Sequence, residues 1–460
     1  MTQVVIVLPG IMGSELWDGK ERVWPGTFDE LNENHDMRQL MKPDLVVGDI
    51  LRRVLTFKRL YVDLMEALEA CGFHEKGKPP TLYTCAYDWR KDGALAAGVL
   101  AVLIERTAAE HGGDVEIILI GHSMGGLVSR YYLECGRFDG RPGFDRVRRL
   151  ITLATPHYGT PVALLGATGN HRATFLSAPQ VQQLSNDSQF PALYQVMPPR
   201  SQPFVWDDDP GARFKPVDIY DAPIAQALGL SQQNLQAAVS FRTGLDLARR
   251  PPRVAYFFFC GTRQDTVCEV RVRQSSGSVS VSLYDVDEDA GDGVIPTWNA
   301  SHPDVQTAAV GAKAHYEVFR GRDLLELLAA LLGHPGAVRF EPRAAELSGF
   351  PLAEIALRDP VITAGSWTNA VISFDDPVPD IKGKLVVRQV VDEHAKAMKP
   401  VVASRLTVAY KGVPMDRITV RIQAPDRPGL YKVSFVPHGT KATLAQDDWV
   451  VQFPVPSRAS

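Results

Sequence analysis

The stretch Val115-Glu-Ile-Ile-Leu-Ile-Gly-His-Ser-Met-Gly-Gly-Leu-Val-Ser-Arg-Tyr-Tyr-Leu133 decides the fold of this chain. Its apolar residues 115–120 predict a buried strand, and residues 125–133 predict the start of a helix. Between them, Gly121-His-Ser-Met-Gly125 matches the G-x-S-x-G pattern of a nucleophile elbow. A strand that turns this sharply into a helix strains its central residue, and the flanking glycines avoid the clashes. The pattern therefore predicts that Ser123 is a nucleophile at the carboxyl end of a sheet.

The length and composition predict a soluble protein of two domains. The chain has 460 residues, of which 45% are hydrophobic and 22% are charged, and such values are typical of globular proteins. A net charge of −4 argues against nucleic-acid binding, which favours a basic surface. Residues 1–8 lack a basic segment and no run of 18 apolar residues occurs, so we expect no signal peptide and no membrane span. We expect a cytoplasmic protein that is able to bind peripherally at a membrane.

The cysteine pattern predicts free thiols and no metal site. The chain has five cysteines, an odd number, and their spacing matches no zinc motif. The acidic run Asp207-Asp-Asp209 lacks the spacing of a calcium loop and indicates a solvated turn. We therefore expect neither a metal ion nor an organic cofactor.

A second glycine-containing loop follows the first predicted strand. Residues 4–8 form a β-branched run, and Pro9-Gly-Ile-Met-Gly-Ser14 follows it. In hydrolases with a nucleophile elbow, an N–H of such a loop joins the N–H after the nucleophile to stabilise an oxyanion. We predict that Ile11 and Met124 donate these two hydrogen bonds. Met12 is the alternative to Ile11, because a sequence does not define a loop to one residue.

An acid and a base that suit Ser123 occur later in the chain. Asp292 lies in Gly291-Asp-Gly-Val-Ile-Pro296, and His315 ends Gly311-Ala-Lys-Ala-His315. The order Ser, Asp, His is that of α/β-hydrolases, in which the imidazole takes the serine proton and the carboxylate orients the imidazole. His302 is the alternative base, and His157 is interpreted as structural. Four competing acids lack the flexible Gly-Asp-Gly setting of Asp292: Asp265, Asp285, Asp287 and Asp289.

Predicted strands and helices alternate over residues 1–335 and indicate an α/β-hydrolase domain. Further strands are predicted at 147–154 and 254–261, a hairpin at 267–284, and helices at 60–71, 93–111 and 321–333. Residues 15–50 follow no regular pattern. Residues 165–250 have helical stretches and Pro-rich turns without a clear sheet strand, so we expect a cap insertion over the site.

The pattern changes at about residue 340 to short strands separated by turn residues. About seven such strands up to residue 456 predict an all-β sandwich of immunoglobulin type, and they lie at 362–364, 370–374, 384–391, 405–410, 418–422, 430–435 and 449–453. The predicted fold class is therefore an α/β-hydrolase fold with a cap insertion, followed by a C-terminal all-β domain.

These motifs together resemble the lecithin:cholesterol acyltransferase-like family of α/β-hydrolases, which includes lysosomal phospholipase A2 and bacterial lipase-like members. The matching segments occur in the family's order across residues 4–333: Pro9-Gly-Ile-Met-Gly-Ser14, Tyr87-Asp-Trp-Arg90, Gly121-His-Ser-Met-Gly125, Thr155-Pro-His-Tyr-Gly-Thr160, Phe190-Pro-Ala-Leu-Tyr194, Gly291-Asp-Gly-Val-Ile-Pro296 and His315. The resemblance implies a catalytic triad of Ser123, Asp292 and His315. It also implies an oxyanion hole formed by Ile11 and Met124.

The sequence thus favours a serine lipid-ester hydrolase, of the phospholipase A or lipase type, that forms an acyl-enzyme on Ser123. Three alternatives stay open: an acyltransferase with an alcohol acceptor, a carboxylesterase for small esters, and a non-catalytic binding protein on a hydrolase scaffold. The expected partners are lipid or ester substrates, including those at a membrane surface. The C-terminal sandwich is a candidate for binding a protein partner.

Overall fold

Six parallel strands form the central sheet of the first part of the chain in the computed structural model. Across the sheet they are Gln306–Val310 (β14), Ala255–Gly261 (β11), Val147–Leu153 (β9), Val115–His122 (β8), Thr2–Leu8 (β1) and Leu82–Thr84 (β7). The structure describes residues 1–26, 35–54, 58–173, 175–212, 215–275, 278–311, 314–338, 353–359, 361–392, 396–439, 443 and 445–452.

Helices connect these strands. In chain order the α-helices of the described residues are Met37–Leu40 (α1), Val62–Ala70 (α2), Gly93–Glu110 (α3), Met124–Glu134 (α4), Val162–Ala167 (α5), Ala178–Asn186 (α6), Ala192–Gln195 (α7), Ala222–Ala227 (α8), Gln232–Thr243 (α9) and Arg322–Leu331 (α10). Short 3-10 helices lie at Phe144–Arg146, Pro210–Ala212, Leu247–Arg249, Thr297–Asn299 and His315–Arg320. The helices predicted at residues 60–71, 93–111 and 321–333 are confirmed as α2, α3 and α10.

Strand β8, which leads to Ser123, lies at the centre of the sheet and is covered on both sides. All of its residues except Glu116 are buried. Because successive residues of a strand point to opposite faces, such continuous burial requires packing on both faces of the sheet. Helix α4, which follows Ser123, is also buried along its whole length. The turn between β8 and α4 is therefore held from all sides.

The turn after β8 packs closely against the loops that follow β1 and β9. A Cβ on Gly125 would lie 2.5 Å from the carbonyl oxygen of Pro9, and a Cβ on Gly126 would overlap the hydroxyl of Thr155. Both positions are much closer than van der Waals contact, which needs about 3.5 Å or more. Only glycine therefore allows α4 to start this close to its two neighbouring loops.

The same part of the chain contains two three-stranded sheets and one two-stranded sheet in addition to the central one. Strands Ser14–Asp18 (β2), Glu21–Trp24 (β3) and Val46–Ile50 (β4) form an antiparallel sheet in the order β3-β2-β4, in a region where the sequence follows no regular pattern. These strands have at most five residues, which is too short for a clear periodicity. A two-stranded hairpin follows, formed by Arg53–Val54 (β5) and Lys58–Arg59 (β6).

The second small sheet contains the predicted hairpin, now defined as Gln264–Ser275 (β12) and Ser278–Gly291 (β13). Strand Val205–Asp207 (β10) pairs with β12 in parallel. This pairing corrects the expectation that residues 165–250 contain no sheet strand. Asp207 also differs from the expected solvated turn, because it is buried and accepts hydrogen bonds from Gln274 and from the amide of Asp209.

The cap insertion between β9 and β11 consists mainly of helices α5 to α9. Arg242 of α9 ties it to the loop after β9. Its guanidinium donates hydrogen bonds to the carbonyl oxygens of His157, at 2.9 Å, and Met197, at 3.1 Å. Burial lowers the pKa of Arg242 to about 10, because the charged group loses its water. The carbonyl groups therefore replace that water in holding the cap on the sheet.

The C-terminal part of the chain is an all-β unit with one core. Its strands are Ala353–Leu357 (β15), Val361–Thr363 (β16), Trp367–Val391 (β17), Ala397–Gln423 (β18), Gly429–Pro437 (β19) and Ala445–Gln452 (β20). The sheet order is β15-β17-β19-β20-β16, and β18 pairs with β17. Strand β17 pairs with β15 through its first half and with β19 through its second half. Residues of all six strands share one buried cluster.

The predicted fold class, an α/β-hydrolase fold with a cap and a C-terminal β-sandwich, is confirmed. The strand count of the sandwich differs, because the predicted strands 370–374 and 384–391 both belong to β17, and 405–410 and 418–422 both belong to β18. The expected limits of the sandwich, residues 340 and 456, lie outside the described residues.

The chain divides into two compact units. One comprises Met1–Pro25 and Met37–Val338, and the other comprises Gly26–Asp36 and Arg339–Ser460. Among the helices of the described residues, none is both long and apolar enough to cross a lipid bilayer.

The close packing of α4 predicts a position-specific effect of one added methyl group. Gly126→Ala pushes that methyl group against Thr155, and we expect this overpacking to lower the free energy of unfolding by about 1–3 kcal/mol. Gly98→Ala in α3 is the matched control, because its new Cβ meets no atom within 4 Å. Replacing a helical glycine with alanine is expected to stabilise that variant by about 0.5–1 kcal/mol.

The free energy of unfolding of both variants is measured by urea denaturation, with tryptophan fluorescence as the signal. Adding Thr155→Ala to Gly126→Ala removes the overlapping hydroxyl, so the two substitutions should be less destabilising together than their sum. Equal stability of the Gly126→Ala and Gly98→Ala variants would contradict the packing argument.

Candidate active site

Ser123 occupies the sharp turn between β8 and α4. Its φ is 52° and its ψ is −124°, a conformation that residues other than glycine rarely adopt and that the surroundings must hold. Its amide donates a hydrogen bond of 2.9 Å to the carbonyl oxygen of Leu153, at the end of β9. The hydroxyl is therefore presented at the carboxyl ends of the parallel strands, where open α/β sheets form their sites.

Three side chains that are far apart in sequence meet at this turn. The hydroxyl of Ser123 lies 3.0 Å from Nε2 of His315, and Nδ1 of His315 lies 2.8 Å from Oδ2 of Asp292. Because the carboxylate only accepts, His315 donates through Nδ1, and its Nε2 is left to accept the serine proton. Relative exposure is 8% for Ser123, 2% for His315 and 1% for Asp292. The structure thus brings together the serine, base and acid predicted from the sequence.

The loop that carries Asp292 holds its carboxylate in one orientation. Oδ1 accepts hydrogen bonds from the amides of Val294, at 3.0 Å, and Ile295, at 2.7 Å, which leaves Oδ2 for His315. The carbonyl oxygen of Asp292 accepts a further hydrogen bond of 2.8 Å from the amide of His315. The acid and the base are therefore linked through their backbones as well as through their side chains.

The alternative base and the competing acids have other surroundings. His302 stacks on Tyr158 with ring centroids 5.5 Å apart, and its Nδ1 accepts a hydrogen bond from the amide of Asp304. The four competing acids lie on the β12–β13 hairpin. Of the two histidines that the sequence offers as the base, His315 is the one that lies within hydrogen-bonding distance of Ser123.

His157 has a structural environment. Its ring stacks on Phe258 at a centroid distance of 3.7 Å, Nδ1 lies 3.3 Å from a guanidinium nitrogen of Arg130, and Nε2 lies 3.1 Å from the hydroxyl of Thr152. Arginine only donates, so Nδ1 accepts and Nε2 carries the proton, as in a neutral imidazole. Burial, reinforced by the charge of Arg130, holds the pKa of His157 well below its ordinary value.

The glycine-containing loop after β1 lies directly beside the nucleophile. A Cβ on Gly10 would be 2.7 Å from the Cβ of Ser123. Among the described residues, the amides of Ile11, Met12 and Met124 donate no backbone hydrogen bond. Met124 is the first residue of α4, where helix geometry leaves the amide without an internal partner. The predicted oxyanion donors therefore lie in the turn and the loop beside Ser123, with amides that the backbone hydrogen bonds of the described residues do not use.

Aromatic side chains anchor this loop from outside. The hydroxyl of Tyr87 donates a hydrogen bond of 2.6 Å to the carbonyl oxygen of Pro9, and the indole of Trp24 donates one of 2.9 Å to that of Met12. Tyr87 is the first residue of the Tyr-Asp-Trp-Arg segment noted in the sequence. This part of the motif therefore fixes the loop next to the nucleophile.

Two polar residues beside the triad, Tyr61 and His122, are missed by the sequence analysis. The hydroxyl of Tyr61 lies 2.8 Å from Nδ1 of His122 and accepts a hydrogen bond of 2.9 Å from the amide of Gly10. Nε2 of His122 lies 3.1 Å from the carbonyl oxygen of His315. In the sequence, Tyr61 counts only as part of an apolar helical stripe. A detectable signal is His122 itself, a histidine at the end of an otherwise apolar strand.

The cysteines and the other metal-binding side chains form no further site in the described part of the chain. All five cysteines are free, and burial raises the pKa of the Cys85 thiol to about 12 and that of Cys260 to about 11. Such thiols stay protonated and unreactive at neutral pH. No group of three or more His, Cys, Asp or Glu residues in the described ranges is arranged to hold a metal ion.

The similarity to known families concerns the part of the chain around the nucleophile. Residues 51–219 match the family model of lecithin:cholesterol acyltransferase, which confirms the resemblance carried by the motifs. The match includes Ser123 and ends before Asp292 and His315, so the pairing of these three rests on the distances above. A phospholipase A(1) named LCAT3 from Arabidopsis thaliana is 23% identical over 320 residues, which cover 59% of this chain and 69% of that protein.

Similar solved structures have low identity to this chain. One chain of the Tle4-Tli4 complex is 15% identical, with a TM-score of 0.47, and the match covers 72% of this chain and 98% of that chain. Phospholipase PlaB from Legionella pneumophila is 12% identical, with a TM-score of 0.31, and the match covers 97% of this chain and 90% of that chain. These values carry no functional argument, and the fold assignment rests on the strand order described above.

The buried, neutral His157 predicts that acid destabilises the protein. At pH values below about 6.5, the pKa of a histidine in an unfolded chain, His157 binds a proton in the unfolded state but stays neutral in the folded state. The free energy of unfolding therefore falls with decreasing pH, by up to about 1.4 kcal/mol per pH unit for this one group, until the folded pKa is reached. His157→Asn removes the titrating group, so its stability should fall less steeply between pH values of about 7 and 5.

Urea denaturation of both proteins over this pH range measures the two slopes. His157→Asn is expected to be the less stable protein at neutral pH, because it loses the stacking on Phe258, and yet the less acid-sensitive one. Parallel pH dependences of the two proteins would contradict a neutral, buried His157.

Proposed function

We propose that this lecithin:cholesterol acyltransferase-like α/β-hydrolase is a serine lipid-ester hydrolase of the phospholipase A or lipase type. The family match over residues 51–219 and the phospholipase A(1) relative support lipid-ester hydrolase or acyltransferase chemistry in general. One observation supports the finer assignment of an acyl-enzyme on Ser123. It is the continuous hydrogen-bonded chain from Ser123 through His315 to Asp292 in a nearly closed site.

In the acylation step, Nε2 of His315 accepts the hydroxyl proton of Ser123 while Oγ attacks the ester carbonyl carbon. The separation of 3.0 Å suits direct proton transfer. Asp292 holds the proton of the neutral imidazole on Nδ1, so that Nε2 faces Ser123 as the acceptor, and it stabilises the imidazolium that forms. His315 then gives the proton to the leaving alcohol, which is a lysophospholipid when the substrate is a phospholipid, and the acyl group stays on Ser123.

The tetrahedral intermediate carries a negatively charged oxygen that requires N–H donors. Met124 supplies one at the N-terminus of α4, where the helix dipole favours negative charge. Ile11 of the adjacent loop supplies the other. In hydrolases of this mechanism, one such donor contributes about 3–4 kcal/mol to transition-state stabilisation.

The deacylation step has two candidate acceptors. A water molecule activated by His315 releases a fatty acid, whereas an alcohol activated in the same way forms a new ester, and both routes restore Ser123. The low exposure of Ser123 and His315, 8% and 2%, limits access of bulk water and favours keeping acyl transfer as the second candidate function. The two activities differ only in the acceptor.

Ser123→Ala tests the nucleophile. Because covalent catalysis is lost while the fold is kept, we expect turnover of lipid esters to fall by about 10⁴- to 10⁶-fold. Liposomes of mixed phospholipids are incubated with either protein, with and without a long-chain alcohol, and the products are measured by lipid mass spectrometry. Free fatty acid and lysophospholipid from the wild type alone would support a phospholipase.

The same assay separates the alternatives. New esters of the added alcohol, formed by the wild type alone, would assign acyl transfer. Hydrolysis of a short soluble ester without any change in the lipids would assign a carboxylesterase. Near-wild-type activity of the Ser123→Ala variant would exclude Ser123 as the nucleophile, and inactivity of the wild type in every assay would favour a binding protein.

The two histidines predict opposite results. His315→Ala removes the group next to Ser123, so we expect a loss of turnover similar to that of Ser123→Ala, about 10⁴-fold or more. His302→Ala removes a side chain whose partners are Tyr158 and Asp304. Its effect on kcat should stay within about threefold, as for residues outside such a network. Steady-state kinetics on a soluble p-nitrophenyl ester measure both, and the reverse pattern would assign His302 as the base.

A further inference from the structure

Three hydrogen bonds connect the loop after β1 to the backbone of the proposed base. The amide of Gly10 donates to the hydroxyl of Tyr61, this hydroxyl lies 2.8 Å from Nδ1 of His122, and Nε2 of His122 lies 3.1 Å from the carbonyl oxygen of His315. All of these bonds are buried. We call this series the Tyr61–His122 chain.

The direction of each hydrogen bond follows from chemistry. A carbonyl oxygen only accepts, so Nε2 of His122 carries a proton and donates to His315. Burial and the proximity of His315 hold the pKa of His122 well below its ordinary value, so the ring is neutral and its Nδ1 is an acceptor. Tyr61 must then donate to Nδ1 and accept from Gly10. The Tyr61 hydroxyl and both ring nitrogens of His122 are thus each hydrogen-bonded, with a defined direction for every bond.

The Tyr61–His122 chain helps to hold the backbone of His315 in place. The amide of this residue already donates to the carbonyl oxygen of Asp292 at 2.8 Å, and its carbonyl oxygen accepts from His122. Both backbone groups of the proposed base are therefore bonded to residues of the same site. Because its backbone N–H and C=O are both hydrogen-bonded, the Cα of His315 has a fixed position, and this position determines where the imidazole lies. Proton transfer to and from Ser123 depends on that position to within about 1 Å.

Aromatic packing stabilises the same arrangement. Tyr61 stacks on Phe319 at a centroid distance of 5.1 Å, and His122 meets Phe319 edge to face at 5.2 Å. Phe319 and His315 lie on one 3-10 helix, His315–Arg320. The segment that carries the base therefore rests on the two residues that hydrogen-bond to it and to the loop of Gly10.

We propose that Tyr61 and His122 are positioning residues. They hold the N–H groups of the loop after β1 and the imidazole of His315 in the correct positions relative to the hydroxyl of Ser123. His122 also packs its ring against the imidazole of His315 at a centroid distance of 5.0 Å, and in this role neither residue accepts or donates the proton that moves between Ser123 and His315. The inference rests on the proposed function, since it assumes that Ser123 performs acyl transfer, and it adds the residues that align the two halves of the site.

Tyr61→Phe tests the chain, because it removes the hydroxyl and keeps the ring that stacks on Phe319. We expect kcat for a soluble p-nitrophenyl ester to fall by about 10- to 100-fold, with KM changed by less than about threefold, because the loss is one of alignment. Tyr83→Phe is the matched control. Tyr83 is a buried tyrosine of β7 whose hydroxyl donates to Glu110, away from this chain, and its variant should keep the wild-type kcat.

A double-mutant cycle tests whether the two residues act together. His122→Gln keeps an amide able to donate to His315 and is expected to retain more activity than His122→Ala. If the Tyr61–His122 chain works as one unit, the kcat of the double variant Tyr61→Phe/His122→Ala should be only slightly lower than that of His122→Ala alone. Full additivity of the two effects would overturn the proposal. The His122→Gln and His122→Ala pair keeps it testable if Tyr61→Phe fails to fold.

A covalent probe separates this inference from the proposed function. Labelling of Ser123 with a p-nitrophenyl alkylphosphonate counts the competent sites, so that kcat is expressed per labelled site and unfolded protein does not contribute. A wild type that resists labelling would overturn both the proposed function and the inference. A labelled wild type with equal kcat per site in Tyr61→Phe would leave the proposed function and overturn the inference, since a purely structural role would change only the number of sites.

Discussion

The unusual backbone conformation of Ser123 is the constraint on which the rest of the catalytic unit depends. A φ of 52° is costly for a serine and persists only where its surroundings exclude alternatives. The surroundings here are the loops after β1 and β9, which approach α4 so closely that Gly125 and Gly126 have no room for a side chain. The parallel sheet brings these loops to one edge. The strained turn and the close packing therefore require each other.

Local sequence patterns predict the elements that carry strong periodic or β-branched signals. Strands β1, β8, β9 and β11 and helices α2, α3 and α10 belong to this group, because each repeats apolar residues with the period of its own structure. Strand β14 is missed: its residues Gln-Thr-Ala-Ala-Val are small or polar, and their pairing with β11 is a tertiary effect. The long strands β17 and β18 are predicted as shorter pieces, because polar turn residues lie inside them.

In the candidate site, too, residues with a local sequence signal are predicted, whereas residues that depend on tertiary contacts are missed. Ser123, Asp292 and His315 are predicted because each lies in a segment with its own signal, and the structure brings them within hydrogen-bonding distance. Tyr61 has no such signal, since its partner His122 is 61 positions away and a tyrosine in an amphipathic helix usually packs in the core. His122 is visible as a polar residue in an apolar strand, but its tautomer and its acceptor on His315 follow only from the three-dimensional arrangement.

The separation of Ser123 and His315 by 192 positions has a consequence for protein synthesis. A ribosome releases the serine long before it has made the base, and a serine hydroxyl without a base is a weak nucleophile. Strands β11 and β14, the hairpin β12–β13 and the loop of Asp292 must all be translated in the interval. Under the proposed mechanism, a nascent chain therefore gains its general base only after His315 has left the exit tunnel and β14, which precedes His315 in the chain, has paired with β11.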